Sequence, residues 1–147
     1  MADAKSSFVY VTYIRTTPEE LWGALTTSEF MKKYWFGVSF ETDWKEGSPW
    51  KLVYPDGQIT DAGEIVEFDR PRRIVLKWRH EHRPELKAEG YARCSIALEP
   101  QNGAVKLTIS HTIECADSKL IEAVSGGWPR ILSNLKSLLE TGKIIFS

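Results

Sequence analysis

Cysteine and histidine are scarce. The chain has two and three of them among 147 residues. Cys94 and Cys115 are too few for a disulfide framework and have no partners at metal-ligand spacing. Reduced thiols are the cytosolic default. The three histidines fall on different segments with no nearby carboxylate spacing, so no metal site is expected. No stretch approaches the ~20 apolar residues that span a bilayer. The polar run Met1 to Ser7 lacks the apolar core of a secretion signal. Charge of one sign is also missing: the formal net charge is −1, which gives no field to attract nucleic acid or an anionic membrane. Arg70, Arg72 and Arg73 cluster, but Asp69 and Pro71 interrupt them, and the cluster reads as a solvated turn. No glycine-rich phosphate loop follows a strand, and no serine sits in a nucleophile elbow. Cys94 has no adjacent base. Glu64 and Glu67 stand three apart on a predicted strand, so alternation sends them to opposite faces and they make no acid–base pair. A soluble, cytoplasmic, single-domain protein (residues 1–147) is expected, with no cofactor or metal. Its length suffices to bury roughly 70% of the unfolded surface.

What is present is a well-punctuated order of elements. An aromatic and β-branched strand covers about Phe8 to Ile14. Thr17 caps a helix with Pro18 at its first position and Glu20 placed to complete a capping box. Ser28 offers a second cap for Glu29 to Trp35, with Gly37 as the stop. Trp50, Leu52 and Tyr54 share a strand face, Pro55-Asp56-Gly57 turns the chain, and a strand runs from about Gln58 to Phe68. Asp69-Arg70-Pro71 breaks it before Ile74, Leu76 and Trp78 resume the alternation. The charged stretch Glu81 to Leu86 contains Pro84 and reads as a loop. Ala92, Cys94, Ile96 and Leu98 line the next strand. Asn102-Gly103 is a hairpin turn, and Val105, Leu107, Ile109, His111 and Ile113 face inward on the return. A long amphipathic helix, roughly Ser118 to Thr141, closes the chain with a wide apolar stripe. Pro129 after Gly126-Gly127 predicts a kink. A sheet bracketed by short early helices and a long late one predicts a curved sheet wrapped around the terminal helix, with a cavity between them.

Several blocks carry a resemblance. Thr17-Pro18-Glu19-Glu20-Leu21-Trp22-Gly23-Ala24-Leu25-Thr26, Tyr34-Trp35-Phe36-Gly37 and Gly63-Glu64-Ile65-Val66-Glu67 form the first group. Pro71-Arg72-Arg73-Ile74-Val75-Leu76-Lys77-Trp78 and Gly126-Gly127-Trp128-Pro129-Arg130-Ile131-Leu132 form the second. Together, over about Phe8 to Gly142, the chain resembles the heat shock protein 90 ATPase activator homologue family in its bacterial single-domain form. That family lies within the START-like (SRPBCC) superfamily. The resemblance implies an α+β helix-grip fold: a curved antiparallel sheet around a long C-terminal helix, with two short helices after strand 1. Relatives in the superfamily bind lipids, hormones or polyketides, and some are cyclases, so the fold alone does not set the function.

The candidate site is the cavity. His111 is in phase with Ile109 and Leu107 and points to the concave face, where it either orients a ligand or is a satisfied core histidine. Trp35, Trp50, Tyr54, Trp78 and Trp128 form either an aromatic wall or the filled core. Cys94 acts as a small hydrophobe beside small Ala92, and Leu132 adds apolar surface from the helix. His80 stands at a cavity mouth or at a solvated strand end; His82 is exposed. The expected function is non-catalytic binding of a small hydrophobic or aromatic molecule by Trp35, Trp50, Tyr54, Trp78, Cys94, His111, Trp128 and Leu132. One alternative is a cyclase or hydrolase using His111 with Tyr91 or Asp61. Another, which the resemblance implies, is a chaperone-activator-like module that meets a chaperone or other protein in a stress response.

Overall fold

The first strand, β1 (Ser6–Ile14), alternates half-buried and exposed residues along its length, as a sheet with one covered face requires. The computed structural model describes residues 5–147; residues 1–4 of the polar N-terminal run lie outside the described residues. Helix α1 (Pro18–Thr26) starts as expected, with the Thr17 hydroxyl accepting from the Glu20 N–H. The reciprocal half of the capping box does not form, because the Glu20 carboxylate accepts from the Thr16 hydroxyl at 3.1 Å instead. Helix α2 (Ser28–Tyr34) has no side-chain cap. Ser28 lies inside the helix and spends its hydroxyl on the Phe40 carbonyl at 2.8 Å. Gly37, at φ 82°, ends the segment by donating to the Lys32 carbonyl.

Six further strands follow: β2 (Ser39–Thr42), β3 (Pro49–Val53), β4 (Ile59–Asp69), β5 (Arg73–His80), β6 (Ala92–Gln101) and β7 (Ala104–Ile113). The sheet is antiparallel throughout, in the order β1-β7-β6-β5-β4-β3-β2. Asn102-Gly103 makes a two-residue hairpin with φ 29° and 88°, the positive pair a type I′ turn needs. Between β5 and β6 the expected loop winds into a short helix, α3 (Pro84–Lys87). Pro84 presets its first turn, and Leu86 anchors it at 1% exposure.

Strand β4 carries a bulge at Val66, so Glu64 stands opposite Lys77 and Glu67 opposite Val75. The extra residue inverts the phase beyond it. Glu64 and Glu67 therefore share the outer face, contrary to simple alternation, and Glu67 faces Arg73 at 3.6 Å.

The long helix α4 (Lys119–Thr141) runs unbroken with Pro129 inside it. Ser118 accepts from the Ile121 N–H at 3.1 Å. Glu89 adds a carboxylate at the same end, taking the Lys119 N–H at 2.8 Å and the Leu120 N–H at 3.3 Å. An anion there satisfies orphan N–H groups and complements the helix dipole. Leu120, Ile121, Trp128, Ile131, Leu132 and Leu135 are buried along the helix. Phe40, from the four-residue edge strand β2, packs its ring 5.2–6.1 Å from those of Trp35, Trp44, Trp50 and Trp78. Among the described residues no helix is long and apolar enough to cross a membrane.

Candidate functional site

A pocket of about 340 Å³ opens between the β3–β5 part of the concave face and the first half of α4. It exists because α4 presents small residues there: Ala123 and Gly127 line it, and a Cβ added to Gly127 would meet nothing within 4 Å. Trp35, Trp78 and Trp128 form its aromatic wall, with ring centroids 5.1 Å apart for Trp35–Trp128 and 5.9 Å for Trp78–Trp128. The angles between their rings, 66° and 58°, suit the quadrupoles of tilted aromatics. Phe36, at the mouth, is 43% exposed.

One end of the pocket is polar. Asp61 on β4 is paired with His80 on β5. Its Oδ2 accepts from the Trp78 indole N–H at 2.7 Å and lies 3.4 Å from His80 Nδ1. Its Oδ1 accepts from the Thr60 hydroxyl at 2.6 Å. Thr60, Asp61 and His80 all line the pocket, and no lysine or arginine does. A tautomer that donates from His80 Nδ1 to Asp61 leaves Nε2 with a lone pair, and that atom is buried without a hydrogen-bond partner in the protein.

The predicted residues divide into two shells. Trp35, Tyr54, Trp78 and Trp128 line the pocket. Tyr54 does so from the rim at 41% exposure, beyond the end of β3 and a register shift after Leu52, rather than from the buried face it was expected to share with Trp50. Trp50, Cys94, His111 and Leu132 do not line it. Trp50 turns its indole N–H to the Lys77 carbonyl at 2.9 Å. Leu132 is buried at 1%. Cys94, fully buried opposite His111, has its thiol pushed up by burial, which makes it an inert filler.

His111 faces inward, 5.1 Å from Trp78 and 6.0 Å from Trp128 between ring centroids. Burial pushes its pKa down to about 4, against a smaller opposing pull from Asp61. Neither ring nitrogen has a partner in the protein. Among the described residues the buried side-chain polar atoms without partners are His80 Nε2 and the two of His111. Both histidines gather around Trp78 and Asp61. No group of three or more metal-ligating side chains is found among the described residues.

Sequence reasoning undervalued Thr60, Asp61 and His80 as a unit. Counted back from the Asp69–Arg73 turn without a bulge, Asp61 would stand opposite Glu81; the extra residue at Val66 sets it opposite His80.

No curated protein matches the chain. Among solved structures, the chain is similar to the Cytophaga hutchinsonii protein ChR145, with 27% identity over 96% of this chain and 98% of that one and a TM-score of 0.74. An Hsp90 activator from Plasmodium falciparum matches at 23% identity, 91% and 96% coverage and a TM-score of 0.73. The Aha1 dimer from Colwellia psychrerythraea matches at 20% identity, 94% and 98% coverage and a TM-score of 0.75. The family model described as activator of Hsp90 ATPase homolog 1-like protein matches residues 15–140. The fold is the α+β helix grip, which supports a ligand-binding or Hsp90-activator-like module. The chain belongs to the activator of Hsp90 ATPase homolog 1-like family.

Proposed function

We propose that the protein binds a small, flat hydrophobic or aromatic molecule in the pocket between sheet and α4, without chemically changing it, and does so in the cytoplasm. The observation that carries this reading is a pocket of about 340 Å³ with three tryptophans in its wall and polar groups gathered at one end. That size falls in the range of small-molecule sites, which combine apolar walls with a few orienting polar groups. Trp35, Trp78 and Trp128 supply contact area and Tyr54 the rim. Trp50 and His111 pack against the wall from behind, and Cys94 and Leu132 are buried in the core. Calorimetric titration with naphthalene tests it, using Gly127→Leu as a variant that fills the pocket. The variant helix gains propensity, so its melting temperature should hold while binding is lost. Equal naphthalene binding by both proteins would place the ligand elsewhere. Native mass spectrometry of freshly purified protein would identify a retained ligand.

A second reading, a chaperone-activator-like module in a stress response, draws on the outer face of edge strand β1. There Val9, Val11 and Tyr13 are 60%, 43% and 52% exposed. Clustered exposed apolar side chains mark interaction surfaces. Stimulation of a purified Hsp90 ATPase that is lost in a Val9→Glu, Val11→Glu double variant would support it. Unchanged turnover with the wild-type protein would remove it.

A further inference from the structure

We infer that the Asp61–His80 pair selects, among flat aromatic molecules, those carrying a neutral hydroxyl donor of the phenol or naphthol class. The inference rests on the pocket reading above and adds the chemistry of the ligand's polar end.

The polar side chains at the inner end of the pocket offer acceptors, and the Tyr54 hydroxyl stands apart at the exposed rim. Asp61 accepts on both oxygens, from Trp78 and from Thr60. The Thr60 hydroxyl has its proton committed to Asp61 at 2.6 Å. His80 faces Asp61 through Nδ1 at 3.4 Å, and a donating Nδ1 makes Nε2 an acceptor. Nε2 is buried, unpartnered and part of a residue that lines the pocket. A buried acceptor without a donor costs stability, and a ligand hydroxyl would remove that cost.

Charge narrows the class. No lysine or arginine lines the pocket, so a carboxylate would meet Asp61 with no counter-charge. His111, behind Trp78, adds no positive charge at neutral pH because burial depresses its pKa to about 4. A ligand cation would face Asp61, but Asp61 is only 9% exposed and already takes two short hydrogen bonds. Stripping water from a cation at such a place recovers little. A neutral donor avoids both penalties, while its rings lie against Trp35 and Trp128.

The experiment compares naphthalene, 2-naphthol, 2-naphthoate and 1-naphthylmethylammonium by calorimetric titration of the wild-type protein at pH 7. One net hydrogen bond corresponds to about tenfold in affinity, so 2-naphthol should bind about tenfold tighter than each of the others. Asp61→Asn and His80→Phe should each erase that preference, read as the ratio of 2-naphthol to naphthalene affinity within each variant. Asparagine keeps an acceptor for the Trp78 indole, so the first variant should fold; the wild-type series decides the matter even if it does not. Equal binding of naphthalene and 2-naphthol overturns the inference and leaves the pocket reading standing. Tighter binding of the ammonium or the carboxylate also overturns it. Failure of every probe to bind defeats the pocket reading and this inference together.

Discussion

Gly63 is the position where adding one methyl group should cost most. It sits on β4 between Trp50 of β3 and Trp78 of β5. A Cβ there would overlap the Lys77 carbonyl outright and come within 2.9 Å of Trp50 Nε1. Both atoms belong to one contact, the Trp50 indole donating to Lys77 across the glycine at 2.9 Å. Neither side can yield cheaply, since one is ladder backbone and the other a tryptophan 2% exposed. Breaking the hydrogen bond with the indole still buried costs about 1–3 kcal/mol. Overpacking against fixed backbone adds about 1–3 kcal/mol. At an unfolding entropy of about 2.1 cal/mol/K per residue, Gly63→Ala should lower the melting temperature by roughly 7–20 °C. Gly23→Ala is the internal control: the same chemical change in α1, where an added Cβ meets nothing within 4 Å, should raise it by about 2–3 °C through helix propensity. Thermal unfolding followed by circular dichroism reads both. A Gly63→Ala protein melting within about 2 °C of wild type would refute the close approach of Trp50 and Lys77.

Three further outcomes are expected. The buried neutral His111 has a folded-state pKa of about 4 against an ordinary 6.5. The unfolded chain therefore takes up a proton first, and stability is lost as pH falls between those values, by on the order of 3 kcal/mol. His111→Phe should flatten that part of the stability–pH curve; an unchanged difference between pH 7 and pH 4.5 in urea unfolding would contradict it. Trp128→Ala, removing a ring 2% exposed that contacts both Trp35 and Trp78, should cost about 3–5 kcal/mol and abolish naphthalene binding; denaturant titration checks the first and calorimetry the second. For Glu89, burial works to raise the pKa, but hydrogen bonds from Ser118, Lys119 and Leu120 outweigh it and hold the carboxyl below its ordinary 4.5. Its contribution is present at neutral pH and lost as pH falls through the carboxylate range, so Glu89→Gln should cost about 1 kcal/mol at pH 7 and less in acid, as paired denaturation curves would reveal.

Architecture was legible because it depends on local signals. Thr17-Pro18 starts a helix, Asn102-Gly103 closes a hairpin, and apolar alternation from Val105 to Ile113 gives the buried face. The pocket's tryptophans were legible in the same way. The polar end was legible only in pieces, with His80 at a cavity mouth in one reading and Asp61 beside His111 in another, because the pairing of Asp61 with His80 depends on one bulged residue at Val66. Neither composition nor alternation marks a bulge, and a one-residue slip changes both partner and face. The same slip explains why Glu64 and Glu67 share a face. The uncapped start of α2 has another cause: the Ser28 hydroxyl found a long-range carbonyl partner, Phe40, that local pattern cannot foresee.

The aromatic packing also has an optical consequence. Trp22 touches Phe68, Phe68 touches Trp44, and Trp44 touches Phe40, whose ring meets Trp35, Trp50 and Trp78; Trp128 completes the series. All six tryptophans of the chain thus belong to one continuous set of neighbouring rings. Excitation absorbed by one indole can pass through space to a neighbouring indole, the phenylalanines only spacing them because their excited state lies higher in energy. Trp35, Trp78 and Trp50 lie within one or two indole-to-indole contacts of Trp128, so a quencher seated against Trp128 should dim light first absorbed at any of them.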